Sequence, residues 1–150
     1  MKIVSTLAVI GALAFAQPAF AQLEAYKDYD VKEATAIVTT VKVDSNMIDY
    51  YLEGLKTAWA PSNDVSKSLG QIEDYNIYVS QLPNSGDFNV ILVVSFKNTA
   101  DIGPSKERYE AFMAEWGSKR QKESRTIAKT YPDIRTITGS YLMNEVTFNK

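Results

Sequence analysis

Residues 88–97 read Phe-Asn-Val-Ile-Leu-Val-Val-Ser-Phe-Lys and form the clearest strand pattern in the chain. The large apolar residues of one face alternate along it as Phe88, Val90, Leu92, Val94 and Phe96. Ile91 and Val93 make the middle of the other face apolar as well. A sheet covered by helices on one side only should carry polar residues on its other side. We therefore expect both faces of this strand to be covered, and a second copy of the chain is the simplest cover.

The segments on either side extend this strand into a sheet. Residues 72–81 predict a strand with Tyr75, Ile77 and Val79 on one side, and the turn-forming run 83–86 joins it to residues 88–97 as a hairpin. Residues 34–44 are rich in β-branched residues with a period of two and predict the first strand. Residues 134–148 predict the last one, either as one long strand or as two short strands broken at Gly139.

Two helical stripes separate these strands. The first runs from Ile48 to Trp59 at spacings of three and four, and we expect Pro61 to kink or end it near Trp59. The second is capped by Ser105, carries Tyr109 to Trp116, and resumes at Ile127 after the polar stretch 117–125. Pro132 is expected to end it.

The resulting order, β-α-β-β-α-β, predicts an α+β ferredoxin-like sandwich. Two helices would cover one face of a four-stranded antiparallel sheet, and a second copy would cover the other. We predict a domain over residues 34–150, preceded by a polar N-terminal arm at residues 22–33.

Residues 1–21 have the pattern of a secretory signal peptide. Lys2 is followed by an apolar run from Ile3 to Ala16 and by the small-residue site Ala19-Phe20-Ala21. The run is shorter than the roughly 20 residues that a bilayer requires, so cleavage is favoured over the alternative of an uncleaved anchor. No later stretch is apolar enough to span a membrane. We expect export, to the periplasm of a bacterium rather than to the outside medium.

Composition excludes several kinds of chemistry. The chain has no histidine and no cysteine, which rules out a Ser-His-Asp triad, a thiol nucleophile, an ordinary zinc site and a histidine-ligated haem. No cofactor is expected. Asp28, Asp30 and Glu33 lack the pattern of a calcium loop, so no metal site is expected either. After cleavage the chain has 15 basic and 18 acidic residues, and this negative net charge disfavours nucleic acid as a partner.

At this point the chain resembles the dimeric α/β-barrel superfamily, which includes the antibiotic-biosynthesis-monooxygenase-like domains, and within it small exported bacterial proteins of unassigned function. The resemblance rests on four segments: strand 38–43, helix 47–59 with Lys56 and Trp59, hairpin 75–96, and the stripe 110–116. It implies a ferredoxin-like fold and a homodimer. Some relatives carry a histidine shortly after the tryptophan of the first helix, and its absence here argues against any activity that depends on it.

Aromatic side chains supply the candidate site. A pocket between helices and sheet would be lined by Tyr51, Lys56, Trp59, Tyr75 and Trp116. The alternative is that these aromatics are core. Three functions remain open: a protein of unknown function holding a small apolar or aromatic ligand, a cofactor-independent oxygenase-like enzyme, and an envelope protein-interaction module. The catalytic residues, if any, are not identified.

Basic residues cluster in the second helical segment as Lys119, Arg120, Lys122, Arg125 and Lys129. They predict either a contact with an anion or anionic surface, or an ordinary solvated helix face offset by Glu115 and Glu123.

Overall fold

The computed structural model describes residues 22–82 and 85–150. The predicted signal peptide lies outside these residues, as do Pro83 and Asn84 of the predicted hairpin turn. The strands are β1 (Tyr29–Val43), β2 (Asp74–Val79), β3 (Val90–Phe96) and β4 (Arg135–Phe148). The helices are α1 (Ile48–Gly54), α2 (Ala60–Ser68), α3 (Lys106–Trp116) and α4 (Ser118–Ala128). A π-helical turn, Leu55–Trp59, joins α1 to α2, and 3₁₀ turns occupy Thr99–Ile102 and Tyr131–Asp133.

The four strands form one antiparallel sheet in the order β2-β3-β1-β4. With the helices between β1 and β2 and between β3 and β4, this is the ferredoxin-like β-α-β-β-α-β topology, and the predicted fold class is confirmed. The two central strands, β1 and β3, are adjacent in space although they are far apart in sequence. No helix formed by the described residues is long and apolar enough to cross a membrane.

β1 begins at Tyr29, inside the segment that the sequence predicts as an arm. Its first residues pair with the far end of β4, with Tyr29 opposite Phe148 and Val31 opposite Val146. The remaining segment, residues 22–28, is also tied to the C-terminus, because Asn149 donates its backbone N–H to Asp28 and its side-chain amide to Lys27. The arm prediction is therefore corrected in part: residues 29–33, five of the twelve, belong to β1, because β4 extends far enough to pair with the start of this strand.

Gly139 marks a bulge within β4 and does not divide it. Thr40 of β1 pairs with Gly139, but the next residue, Val41, pairs with Ile137, so Thr138 is an extra residue in β4. The side chain of Thr138 donates to the hydroxyl of Thr40 at 2.9 Å. Of the two predicted alternatives for this segment, the structure has the single long strand.

The sequence predicts that the first helix is kinked or ended near Trp59, and the structure shows that it does not end there but continues through Pro61 after a π-helical turn. In the π-helical turn the N–H of Ala60 donates to the carbonyl of Leu55, five residues back. This wider turn places Pro61 in the first turn of α2, where a missing N–H costs little. The carbonyl of Trp59 accepts from the side chains of Ser62 and Asn63, each at 2.8 Å.

Gly117 divides the second helical segment into two helices. Its φ of 79° lies in a region that only glycine adopts readily, so α3 ends at Trp116 and α4 starts in a new direction. The predicted cap at Ser105 is confirmed, since its hydroxyl accepts from the N–H of Arg108 at 3.2 Å. The single interrupted helix of the prediction is therefore two helices, so the described residues form three helical units (α1 to α2, α3 and α4) instead of two.

The core lies between the sheet and the first helix, which consists of α1, the π-helical turn and α2. It is formed by Val41, Val43, Val90 and Leu92 from the sheet, Tyr51 and Leu55 from the helix, and Tyr131 from a 3₁₀ turn. These strand residues belong to the faces that the alternation predicts to be apolar. The core is thus built where the period-two pattern of β1 and β3 meets the helical stripe that follows β1.

The opposite face of the sheet is not covered by any helix of residues 22–82 and 85–150. Strand pairing arranges its side chains in rows across β4, β1, β3 and β2: Tyr141, Val38, Val93 and Asn76; Gly139, Thr40, Ile91 and Tyr78; Met143, Ala36, Ser95 and Asp74. We call these residues the open face. Of the two β2 tyrosines, only Tyr78 lies here, because Tyr75 points to the helices. The ring of Tyr141 lies over Gly139, where a Cβ atom would sit 2.5 Å from its hydroxyl.

Gly54 allows the first helix to approach Tyr131 closely, and this contact generates a stability prediction. A Cβ atom on Gly54 would lie 3.0 Å from the ring and hydroxyl of Tyr131 and 3.2 Å from Ile127. Overpacking costs about 1–3 kcal/mol, whereas alanine in a helix regains about 0.5–1 kcal/mol over glycine. We expect Gly54→Ala to lower the free energy of unfolding by about 1–2 kcal/mol in urea titrations.

The matched control is Gly86→Ala, because a Cβ atom at Gly86 meets nothing within 4 Å. It should change the free energy of unfolding by less than about 0.5 kcal/mol. A Gly54→Ala protein as stable as the unmodified one would contradict the close packing.

Candidate functional site

Aromatic side chains from the first helix, from α3 and from the 3₁₀ turn after α4 meet at a shallow cavity of about 200 Å³. Trp59 ends the π-helical turn, Trp116 ends α3, and Tyr131 belongs to the 3₁₀ turn after α4. The remaining lining residues are Ala58, Ser62, Ser124 and Ala128. Both tryptophans of the chain therefore lie at one cavity. We call this the aromatic cavity.

Trp116 is held by its neighbours on the helices. It is 5% exposed, stacks on Phe112 with 6.0 Å between ring centroids, and has the guanidinium of Arg120 5.7 Å from its ring centroid. The stacked ring and the cation fix the orientation of the indole. This wall of the cavity is consequently preformed.

Trp59 is positioned by Tyr75 of β2. The two rings meet edge to face with 5.3 Å between centroids, and the Tyr75 hydroxyl donates to Oδ1 of Asp64 at 2.7 Å. The hydrogen bond to Asp64, together with desolvation and the nearby negative charge, raises the pKa of Tyr75 to about 12. Tyr75 is therefore a hydrogen-bond donor at neutral pH and not a base.

Behind the cavity lies a second aromatic group. Tyr131 meets Tyr51 edge to face at 5.2 Å, and the guanidinium of Arg135 lies 5.1 Å from the ring centroid of Tyr131 and 5.9 Å from that of Tyr51. Burial raises the pKa of both tyrosines, against the lowering effect of Arg135. Within the described part of the chain, the hydroxyl of Tyr131 and Nε of Arg135 are buried without a hydrogen-bond partner.

The five predicted site residues have different places in the structure. Trp59 and Trp116 line the aromatic cavity, Tyr75 contacts Trp59 from outside it, and Tyr51 is buried in the core behind Tyr131. Lys56 is exposed on the π-helical turn and is not among the lining residues. A π-helical turn no longer places residues three apart on one face, so Lys56 does not accompany Trp59. Contact of these residues with a ligand stays a prediction.

Sequence reasoning missed Tyr131 and Arg135 as members of this site. Tyr131 belongs to the predicted helical stripe, yet it lies past the end of α4 and reaches back to α1. The available signal was the Tyr131-Pro132 pair, where a large aromatic residue stands at a helix stop. Arg135 is a cation at the start of a strand of mostly uncharged residues, and nothing nearby in sequence indicates its aromatic neighbours.

The lining of the aromatic cavity offers few groups for acid–base chemistry. Its lining is aromatic and aliphatic apart from the hydroxyls of Ser62, Ser124 and Tyr131. Among the described residues, no group of three or more acidic side chains is arranged to hold a metal ion. The arrangement therefore fits an uncharged molecule with an apolar body and one hydrogen-bonding group.

Larger clefts lie elsewhere on the molecule. One of about 480 Å³ lies where the loop after β1 meets the hairpin loop between β2 and β3. Its cation, Lys42, donates to the backbone carbonyls of Ser85 and Gly86 at 2.9 and 2.8 Å. The side chain of Asn89 accepts a hydrogen bond from the N–H of Val43 and donates one to its carbonyl, each at 2.7 Å. These hydrogen bonds hold the hairpin loop between β2 and β3 against the end of β1.

Comparison with known proteins gives similarities among solved structures only. No family model matches the chain, and no curated protein matches it. HapK from Hahella chejuensis is 9% identical with a TM-score of 0.46, over 74% of this chain and 91% of HapK. A dimeric ferredoxin-like protein of unknown function from Thermobifida fusca is 6% identical with a TM-score of 0.40, over 77% and 92%.

A nipsnap family protein of unknown function from Agrobacterium tumefaciens is 17% identical with a TM-score of 0.45, over 78% of this chain and 89% of that protein. At these identities the similarity concerns the fold alone. The resemblance to dimeric ferredoxin-like proteins expected from the sequence is confirmed at that level by the strand order of this chain.

The hydrogen bond between Tyr75 and Asp64 generates a pH prediction. Because the pKa of Tyr75 is raised from 10.0 to about 12 in the folded protein, its stabilising contribution is complete below pH 10 and is lost as the pH rises towards 12. We expect Asp64→Asn to lower this pKa towards its ordinary value. In an ultraviolet absorbance titration, one tyrosine should then ionise earlier than in the unmodified protein.

Asp49→Asn is the control for this titration, because the exposed Asp49 accepts no hydrogen bond from any tyrosine of the described residues. Its titration curve should coincide with that of the unmodified protein. Identical curves for all three proteins would show that Asp64 does not hold the proton of Tyr75.

Proposed function

We propose that this chain is an exported homodimer that binds a small uncharged aromatic or apolar ligand at the aromatic cavity. One observation carries the proposal: Trp59, Trp116 and Tyr131 come from three separate elements and line the same cavity. Three rings gathered from distant parts of a chain form a wall of the kind that aromatic ligands pack against.

The size of the cavity supports a ligand of about one ring. Its volume of about 200 Å³ is close to the roughly 150 Å³ of an apolar cavity that takes up benzene, and below the roughly 300 Å³ at which drug-sized sites begin. Ser62 and Ser124 add hydroxyls to the wall. A phenol-like molecule, with an apolar ring and one hydroxyl, combines both features.

The protonation of the surrounding tyrosines supports binding over catalysis. Tyr75 keeps its proton up to a pKa of about 12, and burial raises the pKa of Tyr131 as well. Neither phenol can accept a proton from a substrate at neutral pH. These observations favour a binding protein over the oxygenase-like alternative.

Tryptophan fluorescence tests the ligand directly, because both tryptophans of the chain line the cavity. We expect p-cresol, added with excitation at the red edge of tryptophan absorption, to change the emission with a Kd on the order of 0.1–1 mM. Ala128→Leu should fill part of the cavity and weaken binding by about tenfold.

Ala114→Leu is the matched control, because Ala114 is an exposed residue of α3 and is not among those that line the cavity. It should bind p-cresol like the unmodified protein. Two results would contradict binding at the aromatic cavity. One is that p-cresol causes no saturable change in emission, and the other is that both leucine variants bind p-cresol equally more weakly than the unmodified protein.

We further propose that the open face packs against the open face of a second copy. Its centre is formed by Val38, Ile91 and Val93, flanked by Tyr78 and Tyr141, and its one carboxylate, Asp74, stands at a corner. A neutral apolar centre can meet its own copy across a two-fold axis without opposing like charges. The exposed rings of Tyr78 and Tyr141 would be covered in this arrangement.

A charge at the centre of the open face tests the dimer. We expect the unmodified protein to sediment as a dimer, and Val38→Lys to sediment as a monomer because two lysines would be buried without partners near the axis. Tyr50→Lys adds the same charge at an exposed position on α1, in the helical layer, and should remain dimeric. A monomeric unmodified protein would refute the interface.

Export is proposed from the sequence pattern of residues 1–21, with the periplasm as the destination. The measurement is the intact mass of the chain recovered from the cell envelope, which should correspond to residues 22–150. Recovery of the full 150-residue mass from the envelope would instead support an uncleaved anchor.

A further inference from the structure

α4 presents one continuous basic edge to solvent. Lys119, Lys122, Arg125 and Lys129 follow one another at spacings of three, three and four, which places them along one side of the helix over about 15 Å. All four are exposed. We call them the basic ridge. Arg120 lies apart from it, over the ring of Trp116.

The charge of the basic ridge is not neutralised within the part of the chain that the structure describes. The three ion pairs found there involve Lys27, Lys67 and Lys106. Residues 118–129 carry five basic residues and one acidic residue, Glu123, which leaves 11 basic and 17 acidic residues in the rest of the chain. A positive edge on an otherwise negative molecule orients the protein as it approaches an anionic surface.

We propose that the basic ridge docks the protein on an anionic lipid surface. Three of its four cations are lysines, whose flexible ammonium groups act as point charges and can follow mobile headgroups. The residues between them on this side, Ser118 and Thr126, are small and polar. A protein partner would instead be met by the aromatic and arginine side chains that dominate protein–protein hot spots, and lysine is depleted there.

The neighbouring cleft does not fit a discrete anion. Lys119 and Lys122 border an opening of about 580 Å³ together with Thr57, Thr126 and Ile127, but the carboxylate of Glu123 lines it too. A phosphate entering the cleft would meet this negative charge. The basic ridge belongs to the helical layer, on the other side of the sheet from the open face, so dimerisation would leave it accessible.

Co-sedimentation with vesicles tests this proposal independently of the ligand. The purified protein should bind vesicles of phosphatidylcholine mixed with phosphatidylglycerol, not vesicles of phosphatidylcholine alone, and binding should fall steeply as salt is added. Each basic residue near such a surface contributes about fivefold to binding. Lys122→Gln combined with Arg125→Gln should therefore reduce partitioning by about 25-fold.

Lys32→Gln combined with Lys97→Gln is the control that removes the same charge. Lys32 is an exposed residue of β1, Lys97 is an exposed residue directly after β3, and neither belongs to α4. This variant should bind like the unmodified protein. An equal loss in both double variants would show that net charge alone acts, and would overturn the proposal. Equal binding to neutral vesicles, or retention on immobilised polyglutamate without binding to anionic vesicles, would overturn it as well.

Discussion

The ring of Tyr131 packs edge-on against Tyr51 in the core and lies against Gly54 of the first helix. The same residue lines the aromatic cavity and follows directly after α4, a helix without a buried side chain of its own. Tyr131, together with the partly buried Ile127 of α4, therefore fixes the end of α4 to the core and to α1. The positions of Ser124 and Ala128 in the cavity wall, and the outward direction of the basic ridge, both depend on this contact.

The strands and their faces could be predicted because alternation is a local pattern. Val90 and Leu92 face the core as β3 predicts, and Val38 and Val93 face away from it. Where the prediction failed, the deciding partner is distant in sequence. The start of β1 depends on its pairing with β4, which no local pattern indicates. The passage of the helix through Pro61 is an exception, because it depends on a local change in the helix, the π-helical turn.

The candidate site was predictable only in part for the same reason. Trp59 and Trp116 stand out as large aromatics on helical stripes, and the topology then brings their two helices together on one side of the sheet. The position of Lys56 relative to Trp59 was derived from α-helical spacing, which the π-helical turn changes. The contribution of Tyr131 depends on a close approach at Gly54, and only the folded structure contains that approach.

The pairing of β1 with β4 joins the two ends of the described chain, since Tyr29 lies opposite Phe148. β1 thus acquires its second neighbour only when the last residues of the chain are present. Long-range pairing of this kind slows folding, because a large loop must close before the contacts form. A nascent chain that still lacks its C-terminal strand cannot complete the sheet. For a chain that is exported before it folds, as we propose for this one, a sheet that closes only at the C-terminus keeps the complete fold from forming until synthesis has ended.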